Sequence, residues 1–61
     1  MAHLRDQPVS VRLCGHRENV AWLADLLEAD HDLEVQQRSQ PYPNRGGARD
    51  QVRVYLDVIQ H

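Results

Sequence analysis

Four arginines and two tyrosines fall in one stretch of this chain: Arg38, Tyr42, Arg45, Arg49, Arg53 and Tyr55. A guanidinium presents a planar fork of N–H donors that matches carboxylate and phosphate oxygens, and a phenol ring offers a face for stacking. Among them, Asn44-Arg45-Gly46-Gly47 tolerates positive φ, so a turn there could aim backbone N–H groups at one anion beside Arg45 and Arg49. The chemistry on offer is recognition of an acidic or phosphate-bearing group. The two glycines lead into a strand-like run, which sets aside the strand-to-helix phosphate loop of nucleotide enzymes. The plainer alternative is a solvated loop kept soluble by its arginines.

Cys14 and His16 flank Gly15, and His3, His31 and His61 complete the imidazoles. A thiol ahead of a helix N-terminus can ionise readily. A Cys-Gly-His run is not a recurring zinc spacing, however, and Cys14 has no second cysteine to work with. Neither a metal nor a cofactor is expected. Glu28, Asp30, Asp32 and Glu34 straddle a helix end and a turn, and they read as a solvated acidic edge, not an acid/base pair. With no catalytic constellation, the expectation is a non-enzymatic chain. The lone cysteine excludes an intrachain disulfide and suits a reducing, cytoplasmic setting. No apolar run approaches the ~18–20 residues of a membrane span, and no signal-peptide core is visible.

The elements that must position these residues follow from periodicity. Residues 1–8 read as a flexible arm, and 9–61 as a single domain. Val9, Val11 and Leu13 alternate with polar residues, the period of a half-buried strand. From Arg17 the spacing changes to Val20, Leu23, Ala24 and Leu27, one stripe of a helix predicted over 17–29, with Glu18 suiting its positive end. Leu33, Val35 and Gln37 mark a second strand, and Val52, Val54, Leu56 and Val58 the strongest one. Between them lies a long basic loop, 39–51.

A strand–helix–strand unit takes a right-handed crossover with parallel strands, and the last strand then slots between the first two. The expected fold is therefore α+β: a β-α-β-β chain with a three-stranded sheet of order 1-3-2, half of a ferredoxin-like arrangement. The helix should cover one sheet face over a core of Val9, Val11, Leu13, Val20, Leu23, Ala24, Leu27, Leu33, Val35, Val54, Leu56 and Val58. The open face should then carry Ser10, Arg12, Glu34, Gln36, Arg38, Arg53, Tyr55 and Asp57. Three arginines and a tyrosine on an open sheet resemble a nucleic-acid stacking platform, or an ordinary solvated face.

Sixty-one residues and no phenylalanine leave a thin core, and such small chains gain stability by associating. On the helix, Trp22 lies roughly 150° from the centre of the main stripe and Leu26 roughly 110°. Together they form a second apolar patch, and a homodimer interface is expected there. A net charge of −2 argues against general coating of nucleic acid. The charge is nevertheless segregated, with one cation against six carboxylates over 17–34 and four arginines against Asp50 over 38–53.

The run from Pro41 through Tyr42, Pro43 and Asn44 to Arg45, followed by Val52 to Asp57, resembles the end of a group of short bacterial proteins, often actinobacterial. These share the strand–helix–strand–loop–strand order. The similarity spans most of residues 9–58 and implies a compact βαββ fold whose loop and last strand form one unit, with no established activity attached. The sequence reading is thus a small binding or adaptor module. It would self-associate and meet an acidic or phosphate-bearing partner through Tyr42, Arg45, Arg49, Arg53 and Tyr55, with nucleic-acid binding as the alternative.

Overall fold

The computed structural model describes residues 7–44 and 49–60. The chain runs β1 (Val9–His16), α1 (Arg17–Ala29), β2 (Leu33–Arg38), β3 (Tyr42–Pro43) and β4 (Gln51–Gln60). It is α+β, with one helix and an antiparallel sheet in which β4 lies between β1 and β2, while β3 also pairs with β4. The most apolar strand takes the centre because only there can it pair along both sides. Its Val52, Val54, Leu56 and Val58 are buried beneath Val20 and Ala24 of α1. Ala24 is fully covered, and its small side chain lets the helix sit close to the sheet. Val11, Leu13, Leu27, Leu33 and Val35 pack around this core half-buried.

Both ends of α1 are tied locally. Nδ1 of His16 accepts the Glu18 N–H at 3.2 Å, satisfying one donor of the first turn. A ring that accepts at Nδ1 carries its proton on Nε2, which lies 3.8 Å from an Asp50 carboxylate oxygen. The Arg17 N–H donates to the Asp50 carbonyl at 2.8 Å, clamping the helix start to the turn before β4. At the other end the Asp30 side chain accepts the Asp32 N–H at 2.8 Å, and the Asp30 carbonyl accepts the Leu33 N–H at 3.2 Å. These bonds make the turn that sends the chain into β2.

The sheet differs from the sequence expectation in strand number. It has four strands, not three, because part of the stretch read as loop is paired. The Ser39 N–H donates to the Tyr55 carbonyl, and Ser39 Oγ accepts the Tyr55 N–H, both at 2.9 Å. Tyr42 then pairs with Arg53 and Pro43 with Val52, and the Asn44 N–H reaches the Gln51 carbonyl at 3.1 Å. The β2 edge thus continues, kinked, along nearly the whole of β4.

A second correction concerns faces. The β2–β4 register slips between Val35 and Gln37, so that Gln37 pairs with Asp57 and Arg38 with Leu56. One extra residue in a strand reverses the side to which every later side chain points. Arg38, expected on the open face, therefore lies on the helix side, and Gln37 takes its place. There Nη1 of Arg38 donates to Asp25 at 2.8 Å and lies 3.4 Å from Glu28. The hydrogen bond to Asp25 raises the Arg38 pKa above its ordinary value, slight burial opposes it, and the charge of Glu28 adds to it. Because the pair is solvent-exposed, Arg38→Ala should cost about 1 kcal/mol or less, and the loss should shrink in high salt. Urea denaturation at two ionic strengths measures both.

Val9 is the third departure. Expected in the core, it is 62% exposed. A helix of 13 residues spans about 20 Å, whereas a strand of 10 spans about 33 Å, so α1 cannot cover all of β4. Val9 sits past the helix end, where Val11, Leu27, Leu33, Val58 and Ile59 line an open apolar groove with it.

Candidate functional site

The face of the sheet turned away from α1 carries the side chains with recognition chemistry. Pairing places Arg12 of β1 opposite Tyr55 of β4, Cys14 opposite Arg53, and Tyr42 of β3 opposite Arg53 on the other side. The rings of Tyr42 and Tyr55 lie 6.2 Å apart between centroids, tilted by 54°. The Arg53 guanidinium sits 5.8 Å above the Tyr42 ring, within cation–π range. One of its N–H groups donates to the Pro43 carbonyl at 2.9 Å. A guanidinium has five N–H donors, so Arg53 is held in place with donors to spare.

The face is polar along its length. Toward the β3–β4 turn it bears Arg12 and Arg53, with the exposed Arg49 in the turn itself. Toward the opposite end it bears Asp57, which accepts a hydrogen bond from Ser10 Oγ at 3.3 Å, and Glu34. Arg12, Arg49 and Arg53 form no ion pair among the described residues. The base of the turn is closed by Asn44, whose side-chain amide donates to the Val52 carbonyl at 3.2 Å. Beside Tyr55 is a shallow depression lined by Gln37, Arg38, Ser39, Leu56 and Asp57. It is open to solvent, and its chemistry is that of a surface that receives a ligand from one side.

Of the residues singled out in the sequence, the structure brings Tyr42, Arg53 and Tyr55 into one cluster. Arg49 is placed at its end, and Arg45 lies outside the described residues. Trp22 and Leu26 are on the helix, 63% and 53% exposed, remote from that cluster. Arg12 is the member the site assignment missed, although its strand parity already placed it on the open face. Cys14 is exposed, and His16 is accounted for as a helix cap. His31 is exposed in the turn after α1, and His3 and His61 lie outside the described residues. No known protein family, curated protein or solved structure matches the chain. No helix among the described residues is long and apolar enough to cross a membrane.

Proposed function

We propose that this chain is a small non-enzymatic binding module of the cytoplasm. It works as a homodimer and meets an acidic or phosphate-bearing partner through the basic half of its open sheet face. The observation that carries this reading is the cluster of Tyr42, Arg53 and Tyr55 on one face, with Arg12 and Arg49 adjoining and in no ion pair among the described residues. Arg53 is fixed in advance by Pro43, so less side-chain freedom is lost when it meets an anion. The open depression beside Tyr55 suits an extended or protruding partner group better than a small molecule, which needs enclosure on most sides.

A second reading, single-stranded nucleic acid, is favoured by one specific feature: two tyrosine rings on a sheet face, flanked by cations that could follow a phosphate backbone. One titration separates the two. A fluorescent single-stranded oligonucleotide and an acidic phosphopeptide of matched charge are titrated with the protein at about 50 mM salt and again at about 200 mM. An anion-binding face using three or four arginines gives log K falling against log[salt] with a slope of roughly −2 to −4. Arg53→Ala and Arg49→Ala should each weaken binding and flatten that slope by about one. Tyr42→Ala should cost ~1–3 kcal/mol with the oligonucleotide if a base stacks there. It should cost much less with the peptide. Failure of both probes to bind at high micromolar protein refutes the anion-binding reading.

A further inference from the structure

The two outer edges of the sheet are built differently. The β2–β3 edge is kinked by the slip at Gln36, interrupted at Gln40 and Pro41, and lacks the N–H of Pro43. Such features are how proteins stop an edge from recruiting another strand. The β1 edge has none of them. It offers eight consecutive residues, Val9–His16, with no carboxylate and with Arg12 as the one arginine, and no neighbour on its outer side among the described residues.

The helix surface beside that edge is apolar. Trp22 and Leu23 share a groove with Arg12, Leu13, Cys14 and His16 of β1, and Leu26 follows Trp22 by one helical turn. The acidic side of α1 is drawn the other way, because Asp25 and Glu28 reach across to Arg38 on β2. A twofold axis brings a charge that lies close to it near its own copy, so the centre of a surface that meets itself is best left uncharged. The strip of Asn19, Trp22, Leu23 and Leu26 carries none.

We infer that a second copy of this chain docks here, the two β1 strands pairing antiparallel about a twofold axis, with Trp22 and Leu26 of the two helices packed together above the joint. This deepens the self-association in the reading above and leaves the anion-binding face of each copy free.

The register follows from side-chain parity. Antiparallel partners point to the same face, so a twofold pair must centre on one residue opposite itself. Centring on Arg12 would oppose two guanidiniums. Centring on Val11 sets Val11 against Val11 of the second copy, Val9 against Leu13, and Ser10 against Arg12. This arrangement covers Val9, the most exposed valine of the sheet, with apolar surface. Leu27 lines a groove with Val9 and Val11, which puts the neighbouring Leu26 level with the axis.

The test is sedimentation equilibrium of the full chain at about 50 µM, combined with isotope-filtered NMR on a mixed labelled and unlabelled sample. The expected result is a mass twice that of the chain, with intermolecular contacts from Val11 to Val11 and from Val9 to Leu13. Trp22→Glu should keep its circular dichroism spectrum and weaken the dimer by roughly 30- to 100-fold, as loss of a central aromatic anchor does. Leu26→Glu serves as the second variant if Trp22→Glu does not fold. Tyr55→Glu, on the opposite face, should leave the mass doubled. A monomeric mass at 200 µM overturns the proposal, and so does a dimer broken by Tyr55→Glu but not by Trp22→Glu. Neither outcome bears on the anion titration, so this inference and the anion-binding reading fail separately.

Discussion

Leu56→Ala should abolish most of the stability of this domain. Leu56 is the largest fully buried side chain, at the middle of the central strand, opposite Val11 on one side and Arg38 on the other. Truncating a core leucine costs about 2–5 kcal/mol, partly from lost transfer free energy and partly from the cavity left behind. At roughly 0.05–0.15 kcal/mol per residue, a chain of this length holds only about 3–9 kcal/mol in total. The surroundings offer little relief. Val52, Val54 and Val58 are stiff β-branched neighbours on a paired strand, and Val20 of α1, in the same cluster, is equally stiff and too short to fill a hole. In urea, the midpoint should fall by half or more. Val9→Ala, at the end of β1 that is exposed in the single chain, should change it by well under 1 kcal/mol when measured at a protein concentration low enough to keep the chain monomeric. An unshifted midpoint for Leu56→Ala would place the core elsewhere.

Periodicity made much of this arrangement legible. The alternation from Val52 to Val58 marks a strand buried on one side, and that strand lies at the sheet centre because the crossover leaves a gap for it. The stripe of Val20 and Ala24 marks the buried face of α1. What alternation cannot show is a bulge. Counting by twos from Leu33 carries Arg38 to the open face, whereas one extra residue near Gln36 returns it to the helix, and Asp25 and Glu28 hold it there. The same limit hid the continuation of the edge into β3. A signal was nevertheless present, since Gln40 and Tyr42 each precede a proline and are steered toward extended backbone. Read that way, Tyr42 belongs beside the last strand. Its meeting with Tyr55 and Arg53 depends on a register that no local pattern encodes.

Gly15→Ala should destabilise the protein by about 1–3 kcal/mol, even though the added methyl has room. A Cβ at this position would meet nothing closer than Val20 Cγ2, at 3.7 Å, which is ordinary contact. The cost comes from the backbone. Gly15 has φ of +156°, where an L side chain is strained, and no non-glycine residue among those described has positive φ. The position cannot relax cheaply, because its neighbours are committed on both sides. Gly15 pairs with Val52 within β1, and His16 must immediately afterward turn to cap α1 while the Arg17 N–H reaches the Asp50 carbonyl. A shift of φ toward negative values would move His16 off the Glu18 N–H and pull the helix start from the β4 turn. Thermal and urea unfolding of Gly15→Ala beside Ala21→Gly, a helix change worth about 1 kcal/mol, gives the scale. A loss for Gly15→Ala below a few tenths of a kcal/mol would mean that the strand-to-helix corner accepts another path. The positive φ of Gly15 would then not be what sets the angle between β1 and α1.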